Sequence, residues 1–592
     1  LDRNLLIAFT LSFLVLITWQ SFVHPPPKKP AVVEAEQGQQ AQGTESEAKG
    51  PEPAAGASAE ATPEAPAQRF GELPGEPVDA LPEVSRTAAE PDAGLPAGTE
   101  IRIDEPLYDA TLTSRGGALE FWELHEYDDA HGDPVVLVRN GDGPGAVGVT
   151  PFLELGLGDL SRKDWQVVSE GGREVGFALE EGGISVRKTW EFDADSYSFR
   201  LRLDVTNGTD AVVAPRFLVD WPVGARGEQE FKQQGFVVLQ DGKVQRKPLA
   251  SAGSAGITGW ITGAAGADHY DYDGDIDWAG VETTYFVSAL LPDTPKQANA
   301  RIAVIERSKL AATQLYYDAV SLPPGQSLTR EYRGYVGPKE PTRLDAMGSG
   351  LDGAIDLGWT WFAPLTRGFG WLLGVLYSVI PNYGIAIILL TILVRGVTAP
   401  LTVKQMRSME RLRRVQPQMK AIQEKYKDDR QKQSEELMRL YRLEKVNPLG
   451  GCFPMVLQLP VFIGLFYALR SSIALRHAPF FGWIHDLSAP EMLFALPGLG
   501  LPVRVLPLVM GATMFLQQKI TPMQTPDPAQ AKMMMTVMPI MMTVLFYQFP
   551  SGLVLYWMLS NMLAILHQLW IGRKMGPPGT PAQSGSPEPK AA

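Results

Sequence analysis

Between residues 381 and 571 the chain carries five apolar stretches, at about 381–402, 447–469, 502–520, 533–549 and 551–571, each within or near the 17–25 residues that cross a bilayer as a helix. That concentration excludes a single water-soluble globule. The charge divides along the same line. Residues 346–592 hold about 23 Lys+Arg against about 13 Asp+Glu, and the preceding part about 30 against about 53, within a net charge of -13. A long acidic portion is therefore joined to a basic, strongly apolar one.

The rest of the 592 residues divides by composition. Leu5 to Phe22 is a further apolar run of about 18 positions, near the minimum for a span. A cleaved signal peptide is the competing reading, but no small-x-small site follows, so residues 1–24 are expected to be an uncleaved anchor. Residues 25–98 are rich in Pro, Ala and Glu with few large apolar side chains, and are expected to form a disordered linker. From 99 to 340 short segments of alternating polarity take over. The clearest is Tyr197 to Val205, apolar at odd positions and polar at even ones. Similar runs lie at Val186 to Phe192, Thr284 to Leu291, Arg301 to Ile305 and Leu328 to Val336, and turn signals such as Asn207-Gly208 separate them. This predicts an all-β sandwich.

Residues 341–575 form the expected membrane domain, with a tail at 576–592. Residues 352–380 contain an apolar run broken by Pro364, Arg367 and several glycines, which suits a helix lying in the membrane interface. The segment 403–446 is charged. Met406, Met409, Leu412 and Val415 form one helical stripe, Leu437, Leu440 and Tyr441 a second, and Lys427-Asp428-Asp429-Arg430 a turn between them. A helical hairpin is expected. As the densest basic cluster it should face the cytoplasm, which puts both termini inside and the β-domain outside. It could equally be a solvated loop or a docking surface for a ribosome or targeting factor. Its interleaved acids argue against sequence-specific nucleic-acid binding.

Arg395 is the residue that carries chemistry. An arginine inside an apolar span costs at least about 2.5–3.5 kcal/mol. Lys404, nearer the span end, is nine residues on, roughly 13 Å along a helix, too far for Arg395 to reach the interface comfortably. The other four spans contain no Asp or Glu, so the guanidinium needs water, a phosphate or a visiting carboxylate. Thr391, Arg395, Thr398 and Thr402 share one helical stripe. Gln458, Ser560, Asn561 and Gln568 add polar groups that should face inward. The expectation is a polar cavity within the membrane, positive on one side. Met534, Met538 and Met541, in a Met-rich span, are either ordinary packing or an adaptable apolar surface for varied segments.

Other classes lack support. The single Cys452 excludes an intrachain disulfide, no metal-ligand spacing appears, and there is no nucleophile elbow or phosphate loop. No enzyme, metal or cofactor is expected. Asp271 to Asp277 imitates a calcium loop but has Ile276 where the turn requires Gly. The missing intramembrane carboxylates disfavour a solute channel or transporter, the main alternative. A sugar-binding β-domain is a further rival, with His125, His131 and His269 as its only histidines.

Several motifs, in order across about 350–572, resemble those of the YidC-type membrane protein insertases. Val394-Arg395-Gly396 followed by Pro400-Leu401 resembles the family's second span. Val446-Asn447-Pro448-Leu449-Gly450-Gly451-Cys452-Phe453-Pro454 with Gln458 and Pro460 resembles its third. Trp483-Ile484-His485-Asp486-Leu487-Ser488 resembles its outer loop, and Phe549-Pro550-Ser551-Gly552-Leu553-Val554-Leu555-Tyr556 with Ser560-Asn561 its sixth span. Ser114-Arg115-Gly116-Gly117 is similar to a motif of the family's periplasmic domain, a β-supersandwich. The resemblance implies a polytopic α-helical membrane protein of six spans, five forming the insertase core, in a bacterial inner membrane. It implies insertion and folding of nascent membrane proteins, alone or beside the Sec translocon, through a groove open to the cytoplasm and to lipids. Arg395 would be the groove charge, with Thr391, Thr398, Gln458, Tyr556, Trp557, Ser560 and Asn561 as groove contacts. Trp557 departs from the family's usual second tyrosine and removes a hydroxyl. Met534, Met538 and Met541 would lie on the substrate slide. Arg411, Arg413, Arg414 and Lys420 of the hairpin would recruit substrates, ribosomes or signal-recognition factors.

Overall fold

The computed structural model describes residues 98–129, 132–139, 146–224, 234–249, 269–306, 310–444, 453–496, 501–520 and 528–575. The expected anchor and nearly all of the linker lie outside the described residues, as does the C-terminal tail.

Apart from the short pair Phe494–Ala495 and Pro502–Val503, the strands run from Glu100 to Pro338, and all pair antiparallel. The largest sheet has nine strands. Edge to edge it runs Lys243–Pro248, Gly235–Gln240, Ile276–Glu282, Phe286–Pro292, Ser327–Pro338, Ser198–Asn207, Ile184–Phe192, Glu174–Glu181 and Gln166–Gly171. One four-stranded sheet, Glu100–Asp104 to Pro134–Arg139, follows chain order. The other joins His269–Tyr272, Ala298–Glu306, Leu310–Tyr317 and Leu218–Gly224. The alternation read at Tyr197 to Val205 is what the fold uses. Phe199, Leu201, Leu203 and Val205 are buried in the common core, and Arg200 and Arg202 face solvent. Trp122, Trp190, Phe192 and Phe199 form an aromatic cluster with centroid spacings of 5.1 to 6.4 Å, each such pair adding about 0.5–1.5 kcal/mol beyond area burial.

Ser114-Arg115-Gly116-Gly117 is an internal turn. Gly116 and Gly117 have φ of +65° and +55°, and a Cβ on Gly117 would press on the Phe177 ring at 3.1 Å. Their carbonyls accept from buried donors: Lys188 Nζ at 2.7 Å and Trp190 Nε1 at 2.9 Å. The motif is thus explained by packing. Asp271, which opens the calcium-like run, instead pairs with Arg301.

Eight helices follow among the described residues: α1 (Pro341–Met347), α2 (Ala363–Val379), α3 (Tyr383–Lys425), α4 (Arg430–Leu443), α5 (Phe453–Arg470), α6 (Val505–Ile520), α7 (Pro528–Phe546) and α8 (Ser551–Met575). Helix α3 is one helix of 43 residues. It starts where the Asn382 side chain accepts from Ile385 N–H, and it continues through Pro400 and Pro417 into the first arm of the hairpin. A proline inside a helix removes one hydrogen bond and kinks it without ending it. The expected boundary near 402 is therefore a change of surroundings within one helix. The hairpin turn lies where expected, and Val415 and Met419 pack against Leu437, Leu440 and Tyr441.

Two described helical segments are long and apolar enough to cross a membrane, Tyr383–Lys404 and Ser551–Ile571, and Leu459–Arg470 and Met535–Phe546 are shorter apolar helices. Helix α6 has 16 residues, short of the roughly 20 a span needs. Helix length alone thus supports a membrane domain and leaves the count of six open. The helices share a second core, in which Ile387, Leu390, Leu465, Met510 and Leu553 are buried.

Candidate functional site

The site lies where α3 packs on α8. Arg395 Nε donates to Ser560 Oγ at 2.8 Å, and the second guanidinium nitrogen donates to the same oxygen. Ser560 is buried, and Tyr556, one turn earlier on α8, is an electrostatic neighbour of the guanidinium. Among the described residues no carboxylate pairs with Arg395. A guanidinium has five N–H donors, and a single hydroxyl cannot satisfy them. The arrangement holds a positive charge against a neutral partner and leaves donors for an incoming acceptor.

The threonines of the stripe behave differently from a free polar lining. Thr391 Oγ1 donates to Ile387 O at 2.6 Å, Thr398 to Val394 O at 2.9 Å and Thr402 to Thr398 O at 3.1 Å. Their protons are committed one turn back, as is usual for threonine within helices, and only their lone pairs remain to be shared. Thr391 is fully buried and Thr398 half-buried. Asn561 is buried with its Nδ2 unpartnered, and Gln568 is half-buried.

Tyr556 and Trp557 do not share a face. Tyr556 lies on the Arg395 side. Trp557 stands edge-on to Phe462 at 4.6 Å and beside Phe546 at 5.0 Å, within an aromatic cluster from α5 and α7. Position 557, where the resemblance leads to a second tyrosine, therefore sits in an aromatic cluster. Met538 and Met541 are half-buried on α7, whose most exposed apolar side chains are Val537, Ile540 and Val544. Arg411, Arg414 and Lys420 are exposed on the hairpin. The side chains of Gln458, Met534 and Arg413 lie outside the described residues. His125 and His269 sit on different sheets, His125 beside Asp109 and His269 beside Asp271, and His131 lies outside the described residues.

The end of this helix pair nearest the β-domain is covered by the loop residues 471–496. Sequence reasoning missed its main polar contact, the buried Glu491, which accepts from Trp483 Nε1 and Leu506 N–H. No local signal marks it, because its partners lie eight and fifteen residues away.

Residues 375–577 match the family described as "60Kd inner membrane protein", and residues 100–372 match "YidC periplasmic domain". A "Membrane protein insertase YidC" of Syntrophus aciditrophicus is 33% identical over 97% of this chain and 100% of its own length. The one of Pelobacter propionicus is 37% identical over 84% of this chain and 90% of its own. The chain belongs to the YidC family of membrane protein insertases. A YidC crystal structure, with the first transmembrane domain resolved, covers 80% of this chain and 92% of its own at 19% identity and a TM-score of 0.32. The YidC assignment makes the chain an inner-membrane protein with a β-rich domain and a helical membrane domain. It leaves the solute-channel alternative without support.

Proposed function

We propose that this insertase works through a groove between α3 and α8 in which Arg395 is the only fixed charge among the described residues. It inserts and folds membrane proteins and is not an enzyme. The observation that carries the groove reading is the Arg395–Ser560 contact, a cation held among apolar helices by a neutral hydroxyl. In surroundings of low effective dielectric, the attraction of such a cation for a carboxylate is several-fold stronger than in water. A substrate whose polar tail carries an acid is drawn into the groove, and its apolar segment moves out along the lipid-facing surface of α7. No nucleotide is needed, because burying the apolar segment in lipid drives the transfer.

In this reading the chain has six spans, the β-domain is periplasmic and supersandwich-like, and both termini are cytoplasmic. The hairpin, with Arg411, Arg414 and Lys420 exposed, recruits substrates, ribosomes or signal-recognition factors, and the Sec translocon is a second partner. Trp361 and Trp371, 70% and 71% exposed beside and on α2, anchor that helix among lipid headgroups, where tryptophan is enriched.

The test is reconstitution in liposomes with two single-span substrates that differ only in an acidic or a neutral translocated tail, scored by protease protection. Arg395→Ala should lower protection of the acidic tail at least tenfold relative to the neutral one, and Arg395→Lys should restore much of it. Equal losses for both tails would sink the charge-trap mechanism.

A further inference from the structure

The described loop residues 471–496 close onto the starts of three helices. Phe480 seats on α3 at Gly384, where an added Cβ would meet its ring at 1.9 Å, so no larger residue fits there. At the start of α8, Ser551 N–H donates to Ala489 O at 2.8 Å, Gly552 N–H to Leu487 O at 2.9 Å and Ser551 Oγ to Asp486 O at 2.7 Å. These contacts satisfy donors that a helix start leaves orphaned. At α6 the acceptor is a side chain. Glu491 is 5% exposed. Its Oε1 accepts from Leu506 N–H at 2.7 Å and its Oε2 from Trp483 Nε1 at 2.7 Å. Trp483 packs on the helix core, and its neighbours Ile484 and Leu487 are buried within it.

We propose that Glu491 is the positioning residue that keeps the β-domain end of the groove shut. The inference rests on the groove reading above. Loop and α6 are joined here through one carboxylate, and both its partners are N–H donors. The two donors sit on separate oxygens of the carboxylate; an amide in the same pose offers an oxygen to one of them and turns its NH₂ on the other. Release of Glu491 leaves Leu506 N–H and the indole N–H without acceptors in a buried site, and the loop gains by lifting towards water. Thr391 lies seven residues along α3 from Gly384, about 10 Å below the cap at 1.5 Å per residue. It is fully buried while the cap is seated.

The test uses the full chain in membranes, with Cys452→Ser and single reporter cysteines probed by a membrane-impermeant maleimide from either side. Thr398→Cys should react from the side opposite the β-domain, which reports the groove. Thr391→Cys should be protected from the β-domain side. Glu491→Gln, which keeps the size of the side chain, and Glu491→Ala should each speed its labelling from that side at least tenfold. Trp483→Phe alone should open the path less. Combined with Glu491→Gln it should bring labelling back towards the parent, because one amide oxygen then suffices for the one remaining donor. Labelling of Thr391→Cys that ignores all four changes overturns the proposal and leaves the groove standing. Thr398→Cys unreactive from the far side overturns the groove and the proposal together.

Discussion

Lys188 is a fully buried lysine in the β-domain, held by the carbonyls of Gly116 and Gly148 at 2.7 and 3.0 Å and by the Trp165 ring at 5.2 Å. Burial pushes its ammonium down to about 7 from 10.5. Between those two values the unfolded chain binds the proton and the folded one does not, so stability rises with pH across that window. Asp220 is the opposite case. Burial raises its carboxyl to about 7 from 3.8, and its Oδ1 has no partner. Here the folded chain binds the extra proton, so stability falls as pH rises from about 4 to 7. The two effects together predict a minimum in β-domain stability near neutral pH. Thermal unfolding followed by β-sheet circular dichroism from pH 4 to 10 should show it. Lys188→Met should flatten the alkaline limb alone and Asp220→Asn the acid limb alone. At this scale the sequence flagged Arg395, because an arginine inside an apolar run is anomalous in one dimension. Lys188 is in phase with Val186 and Trp190, so the period of two already places it on the inward face, whereas Asp220 interrupts the apolar run Phe217 to Val223 and only the fold shows its burial.

The hairpin is the element best specified by its own sequence. Its two stripes, its turn and the Asp429 side chain that accepts from Lys432 N–H at 3.0 Å are all short-range features. What holds it closed is a small contact of Val415 and Met419 against the second arm. Val415→Asp places a carboxylate in that contact, at a cost of roughly 2 kcal/mol or more. Protease cleavage at 426–429 should then speed up at least tenfold. Insertion of a substrate supplied directly to liposomes should persist, because the Arg395–Ser560 contact lies in another part of α3. Loss of that insertion would show that the hairpin contributes to insertion itself and not only to the recruitment proposed for it. The helix expected to lie in the interface is less legible. Pro364 and the glycines of 352–380 are compatible with several breaks, and the structure starts the helix only at Ala363.

Over the whole molecule, the β-domain and the membrane helices are joined by shared packing. Ile473 of the loop that caps the helices belongs to the β-domain core, and Arg476 lies over the Phe286 ring at 5.4 Å. The Tyr285 side chain lies beside Ser488 of the same loop. Where the last strand leads into α1, Glu282 takes Lys339 Nζ at 2.7 Å and Arg246 Nε at 3.0 Å, and Arg246 also donates to Gly353 O at 2.6 Å. Burial lowers the affinity of Lys339 for its proton, and Glu282 works against that effect. Glu282→Gln leaves a buried ammonium unpaired, a change worth about 3 kcal/mol. A loss of several degrees in Tm, with the Arg395 substrate preference unchanged, is the expected outcome. An unaltered Tm would mean that this ion cluster does not hold the joint.

The sequence by itself determined the division into acidic β-rich and basic apolar parts, the strand faces, the hairpin and its turn, and the one anomalous charge inside a long apolar run. Each is written in composition or in a period of two or of about 3.6 residues, so neighbours along the chain suffice to reveal it. Only the tertiary structure decided that Ser560 receives Arg395, that Trp557 turns away from it and that Glu491 fastens the cap. Those contacts join residues 165, 95 and 15 positions apart. No local pattern encodes them, because they depend on how packed helices and loops bring distant donors and acceptors together.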